Sequence, residues 1–398
     1  MVYKPPFFFE KRLPEGYAGQ PVPSLKEWEE LWKAWDLVTL GMLPEDKLLS
    51  RPIELRNPCI FYLGHIPTFL DHQISRAAST KLTPPGQEYQ NIFQRGIDPD
   101  VENPELCHAH SAIPDQWPAL NEILRFTADV RRKVAAMYDH TGRLKDITPD
   151  LPRAMWLAFE HETFHLETYL YMMLQSGDAL PPPGVPRPDF TGLRDTEKAG
   201  GRLEEKDSWL EVPDTIIDVG IDDPEGNVNT PLCYFGWDNE KPLRKGTEVS
   251  RFSIRAYPIT NEEYFKYLYS NSAVGVPVTW EISAPLVGSG NGIFKNGYAE
   301  TLSNGSQKRF SEMMDSISIK TVFGPVPLNL ALDWPAMASY EELSGCATWI
   351  GGRIPSANEC RAAYQYIEKQ ESVEKLARRF DGVNGFVCPQ IHSPSNRS

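Results

Sequence analysis

The eight residues Glu160-His161-Glu162-Thr163-Phe164-His165-Leu166-Glu167 restrict this chain more than any other part of it. They lie in an apolar-periodic stretch from Pro152 to Ser176 that reads as one long helix, with Gly177 as its stop signal. At about 100° per residue, His161 and His165 stand one turn apart on one face, in a stripe with Leu157, Thr168 and Met172. That stripe predicts an inward-facing pair of imidazoles. Buried ring nitrogens need hydrogen-bond partners or a metal, and two on successive turns can grip one ion. The alternative is a pair of hydrogen-bonded core histidines.

Glu167 falls about 200° around the helix from His165, so it cannot complete a set with the pair. A third ligand must come from another helix, and the candidates are His65, His72, His108 and His110. His65 and His72 share one predicted helix, Asn57 to Ser79, about 10 Å apart, so only one of them reaches a common ion. His65 is favoured because Phe61 and Phe69 flank it on its own face, whereas His72 follows Asp71 near a polar end. Pro67 is expected to bend the helix or begin a segment just after His65. Glu162 and Glu167 read as solvated carboxylates, with Glu167 able to orient a ligand from behind.

Further helices are predicted from Lys26 to Leu40, after a Ser24 cap, and from Pro118 to Tyr138. With a long polar crossing between Thr83 and Pro118, four helices make a bundle the natural architecture. The string Pro181-Pro182-Pro183-Gly184 and the polar stretch Arg194 to Asp207 mark a linker. Beyond Trp209 the texture becomes α+β. Strand-like runs are Thr215 to Gly220, Val249 to Tyr257 and Ser318 to Pro325, and helices are expected at Thr260 to Tyr269 and Ser339 to Trp349. The boundaries are therefore 1–185 for the bundle, 186–210 for the linker, 211–385 for the second domain and 386–398 for a divergent tail.

A net charge of −14 and a pI near 5.1 argue against a nucleic-acid partner and favour small or neutral substrates. No run of eighteen apolar residues is present, so no membrane span is predicted. Six cysteines without a CxxC pair read as reduced thiols of a cytoplasmic protein. Trp237, Trp280, Trp334 and Trp349 could line a pocket for a quaternary ammonium, although core packing is the stronger reading. The string Gly288 to Gly292 reads as a turn.

His161-Glu162-x-x-His165 also spells the zinc-peptidase signature, with Glu162 as general base. No further histidine continuation follows it, and the surroundings are helical. A three-histidine site drawn from two helices fits better, leaving one position open on zinc or several on iron.

Three strings resemble one family: Phe61-Tyr62-Leu63-Gly64-His65-Ile66, His161-x-x-x-His165-x-Glu167-Thr168, and Phe93-Gln94-Arg95-Gly96-Ile97-Asp98-Pro99-Asp100. They are similar to the fungal-type ergothioneine-biosynthesis sulfoxide synthases. The later strings Trp237 to Pro242, Phe252-Ser253-Ile254, Pro258 to Tyr264, and Trp334-Pro335 through Gly352 to Ser356 resemble that family's formylglycine-generating-enzyme-like domain. The resemblance implies a DinB-like four-helix bundle followed by an α+β, C-type-lectin-like domain. It implies an iron(II) site on His65, His161 and His165, with O₂ as co-substrate and Zn²⁺ as the alternative metal. The implied reaction joins a thiol, cysteine or γ-glutamylcysteine, to hercynine and gives a sulfoxide. A zinc-dependent thiol transferase and a shortened, non-catalytic form are the competing readings.

Three departures accompany the resemblance. Phe164 stands where some relatives carry a substrate-contacting Gln. No methyltransferase domain precedes residue 50. The segment up to Ser398 lacks a Trp-rich closing motif, so the second domain is expected to be incomplete, with its catalytic tyrosine and substrate residues unassigned.

Overall fold

A computed structural model describes residues 22–53, 56–93, 114–145, 148, 150–199, 209–222, 236–271, 274–283 and 304–370. His108, His110, most of the crossing string from Gln94, the glycine string 288–292 and the tail 386–398 lie outside them. The chain divides into two compact units. The first holds residues up to Gly184 and takes in Gly220–Leu243; the second holds Val185–Val219 and Arg244–Ser393.

In the first unit, α1 (Leu25–Asp36) opens on a capping box. Ser24 Oγ accepts from the Glu27 amide, while the Glu27 carboxylate accepts from the Ser24 amide at 2.7 Å. A short π-helical turn, Leu37–Gly41, follows where an extended α-helix to Leu40 was expected. Next come α2 (Cys59–Ala77), α3 (Gln87–Phe93), α4 (Leu120–Ala136) and α5 (Leu151–Ser176). Gly177 ends α5 with φ of +76°, the left-handed conformation a C-terminal glycine supplies without a Cβ penalty. The four long helices are those the apolar periodicity predicts.

Helix α2 packs on α3, α4 and α5 and is buried at nearly every position from Cys59 to Thr68. Pro67 neither ends it nor starts a new segment. The helix runs through, and Pro67 lies in the core beside Ile66 and Leu70. Packing on several sides offsets the roughly 3 kcal/mol that an interior proline costs a helix.

One ion pair ties α2 to α4. Asp71 is 2% exposed, and Lys133 Nζ lies 2.8 Å from its Oδ1, 2.6 Å from Ser75 Oγ and 2.8 Å from the Lys81 carbonyl. The Thr83 amide and hydroxyl also donate to the Asp71 carboxylate, each at 2.8 Å. Lys133→Met leaves a buried carboxylate without its cation. It is expected to cost about 3 kcal/mol in urea unfolding, and a loss below about 1 kcal/mol, the level of a surface pair, would contradict this account.

In the second unit, α6 (Phe190–Ala199) lies inside the stretch read as linker, and its Phe190 ring sits 5.7 Å from Trp334. One apolar side chain in a polar context anchors that helix. The strands β1 (Trp209–Val212), β2 (Thr215–Val219), β3 (Arg244–Val249) and β4 (Phe252–Arg255) form two antiparallel pairs, β1 with β4 and β2 with β3. Helix α7 (Asn261–Ser270) carries the expected Thr260–Glu263 capping box, and Arg255 pairs with Glu263 at 2.7 Å.

Strand β5 (Trp280–Ile282), helix α8 (Asn304–Asp315), and strands β6 (Ile317–Ile319) and β7 (Val326–Pro327) follow. The run Ser318 to Pro325 is not one strand. Thr321 and Gly324 close a turn, with Gly324 at φ of +88°, and β7 returns against β6. Helices α9 (Tyr340–Trp349) and α10 (Ala357–Gln370) complete the described residues. Trp280 is buried in a core with Tyr264, Phe265 and Leu268, and Trp334 packs against that core, so packing accounts for both rings. A second core joins Val212, Ile217, Val219 and Val249 to Ala362 and Ala363. Among the described residues, no helix is long and apolar enough to cross a membrane.

Candidate metal centre

The buried row of α5 is Met155, Phe159, Glu162, Leu166, Tyr169 and Met173. His161 and His165 sit on the neighbouring flank, half-buried, and Thr168 is exposed. The expected inward stripe is therefore displaced by about one residue: the imidazoles border the core instead of filling it. Across from them, α2 presents His65, which is 4% exposed.

The three side chains converge. His65, His161 and His165 each offer a ring nitrogen, and these atoms all lie within 4.8 Å of one another. His65 Nε2 and His161 Nε2 are 3.2 Å apart. Two nitrogens about 2.1 Å from a shared ion, at angles between octahedral and tetrahedral, would be roughly 3.0–3.4 Å apart. His72, on the same helix as His65, is not part of the group.

Second nitrogens and ring planes test the fit further. His65 Nδ1 lies 2.5 Å from the Phe93 carbonyl. A carbonyl only accepts, so Nδ1 carries the proton and the Nε2 lone pair faces the other two rings. Among the described residues, Nδ1 of His161 and Nδ1 of His165 are buried without a hydrogen-bond partner. Stacking fixes the planes instead: Phe69 lies on His161 with centroids 3.9 Å apart, and Phe61 on His65 at 5.1 Å. Tyr62 lies 5.8 Å from the His165 ring.

Burial pushes the His65 imidazolium down to about 4 and that of His165 to about 3. Burial and the two neighbouring rings hold His161 well below the ordinary value. All three are neutral at pH 7, so no proton competes for their lone pairs. A cluster of neutral imidazoles whose ring nitrogens converge on one point is suited to a divalent transition metal.

Glu162 does not join them. It is 1% exposed, inside the core with Trp32, Trp35 and Ile66, where a solvated carboxylate was expected. A general base on metal-bound water would have to stand on the histidine side of the helix, so the peptidase reading loses its base. Glu167 accepts a hydrogen bond from Tyr171. Phe164 is 37% exposed and packs 5.5 Å from Trp237, bringing the Trp237 to Pro242 string alongside the histidine helix within the first unit.

Sequence reasoning missed the Phe93 carbonyl, the burial of Glu162 and the stacking of Phe69 on His161; Phe69 also flanks His65, at 6.4 Å, as expected. A backbone carbonyl from a third helix has no residue-type signature at all.

Residues 25–169, which carry all three histidines, match the DinB superfamily. The chain is 43% identical over 397 residues to Ergothioneine biosynthesis protein 1 of Neurospora crassa, covering 97% of this chain and 44% of that protein. It is 32% identical over 374 residues to Ergothioneine biosynthesis protein 1 of Schizosaccharomyces pombe, covering 87% of this chain and 42% of that protein. The chain is thus a relative of these fungal proteins along most of its length, as its motifs suggest, and it spans less than half the length of the curated relatives it matches.

Proposed function

We propose that the chain takes part in ergothioneine biosynthesis as an iron(II)- and O₂-dependent enzyme that forms a carbon–sulfur bond between a thiol and hercynine, giving a sulfoxide. The single observation that carries this reading is the meeting of three imidazoles from α2 and α5 in a chain so similar to Ergothioneine biosynthesis protein 1. The stoichiometry balances: thiol and ring C–H each give up a hydrogen, one oxygen atom goes to sulfur, and the other leaves as water.

Iron(II) held by His65, His161 and His165 would supply O₂ chemistry and Lewis acidity toward the thiol. The chain's own residues do the positioning. A neutral ligand set leaves the metal's charge available to favour a thiolate. The stacked Phe61 and Phe69 keep two of the rings in place and shield one side from water. Confinement of both partners beside one ion is then the main source of rate. The α+β region, in this reading, is a formylglycine-generating-enzyme-like domain.

The test uses the full chain purified without oxygen and loaded with iron(II). Incubation with hercynine and either cysteine or γ-glutamylcysteine under O₂ is expected to give the corresponding sulfoxide by mass spectrometry. Folded, iron-loaded protein that yields none would leave the non-catalytic form. Tight retention of zinc with no iron-dependent product would favour the transferase.

A further inference from the structure

We propose that Gly64 is a positioning residue for the metal centre. Its missing side chain lets the Phe93 ring rest on α2, and that seat holds the Phe93 carbonyl on His65 Nδ1. The inference rests on the three-histidine reading above and adds a device that sets the tautomer of one ligand.

The approach is close. A Cβ on Gly64 would stand 2.4 Å from Cε1 and from Cζ of Phe93, and 2.6 Å from Cε2. Contacts that short are not tolerated, so one partner must move. Phe93 has nowhere to go: it is fully buried, with Trp117 stacked at 5.8 Å, Tyr89 edge-on at 5.1 Å and Phe61 at 6.1 Å. Displacement therefore falls on the backbone at the end of α3, where Phe93 is the last residue.

That backbone carries the acceptor. The Phe93 carbonyl sits 2.5 Å from His65 Nδ1, and a shift of about 1 Å takes it beyond hydrogen-bond range. Without it, His65 has no reason to keep its proton on Nδ1. The proton can move to Nε2, the atom 3.2 Å from His161, and cover the lone pair a metal needs. His161 and His165 cannot compensate, because neither Nδ1 has a partner among the described residues. Loss of such an orienting partner typically weakens metal affinity 10–100-fold.

The test compares full-length wild type, Gly64→Ala, Phe93→Leu and the double variant. Iron(II) affinity is measured anaerobically by chelator competition, and the His65 Nδ1–H resonance is followed by NMR in metal-free protein, with His65→Gln identifying the signal. Gly64→Ala is expected to lose about tenfold or more in affinity together with the resonance, and Phe93→Leu, which shortens the ring, to restore both in the double variant to within roughly threefold. Folded Gly64→Ala with wild-type affinity and an intact resonance would overturn the inference. So would a folded double variant no better than the single. If Gly64→Ala alone does not fold, the double variant decides: wild-type affinity supports the seat, and weak affinity refutes it. Wild-type protein that binds no iron(II) would instead sink the metal reading, and the affinity claim with it.

Discussion

Replacing His161 with leucine is expected to abolish tight iron(II) binding and, at the same time, to make the metal-free protein relatively more stable in acid. The first effect should exceed the 10–100-fold loss typical of an orienting partner, because an atom of the ligand set itself is removed. The second follows from protonation. The folded protein holds the His161 imidazolium well below 6.5 through burial and two neighbouring rings. Below pH 6.5 the unfolded chain gains a proton on this side chain that the folded chain refuses. Folding stability therefore falls as pH drops through that window, by about 1.4 kcal/mol per unit for this one group. The leucine variant is exempt. Its stability relative to wild type should rise as pH falls from 8 to 5, read from urea midpoints of metal-free protein. Iron affinity unchanged within about threefold would remove His161 from the centre, and a flat stability difference would mean the imidazole titrates normally.

Much of this site can be read from residue order because helical spacing is a strict geometric rule. His161 and His165 share a face for the same reason that Gly177 ends the helix: both follow from 3.6 residues per turn and from the steric freedom of glycine. The preference for His65 rested on apolar neighbours, and His65 is 4% exposed with the Phe61 ring stacked on it. The structure differs where tertiary contacts decide. Phe69 flanks His65 at 6.4 Å, as its spacing predicts, but it also stacks on His161, a contact that arises only once two helices meet. The turn at Thr321 to Gly324 splits a run whose composition alone reads as one strand, and Phe190 anchors a helix within polar sequence. Glu162 is the sharpest case. A glutamate between two histidines reads as surface by residue type, yet the helix phase that half-exposes the histidines turns Glu162 inward.

That carboxyl gives the second large effect: Glu162→Gln is expected to stabilise the protein in mild alkali relative to acid. Glu162 lies beside a cavity of about 10 Å³ with Trp32, Trp35, Pro67, Thr127 and Arg131, and its Oε1 has no hydrogen-bond partner among the described residues. The nearest cation is already engaged, since Arg131 makes a two-pronged pair with Asp36 at 2.7 and 2.8 Å and lies over the Trp32 ring. Burial pushes the Glu162 carboxyl up from 4.5 to about 7; Arg131 opposes the shift and Asp36 adds to it. The sign is set by the raised folded value. Below 4.5 both states are protonated and nothing is lost; between 4.5 and 7 the unfolded chain releases a proton that the folded chain keeps, so stability declines as pH rises. Above 7 the loss is complete, about 3 kcal/mol for a shift of this size. Glutamine has the same shape and no charge to release. Its own hydrogen-bonding cost is the same at every pH, and the histidines are common to both proteins, so both cancel from the comparison. The stability difference between variant and wild type should therefore grow by about 3 kcal/mol from pH 4.5 to pH 8. Two parallel stability curves would show that water or a shift of Arg131 already solvates the carboxylate. A cavity this size has room for about one water molecule, so the pH dependence of the substitution also reports whether that space is wet.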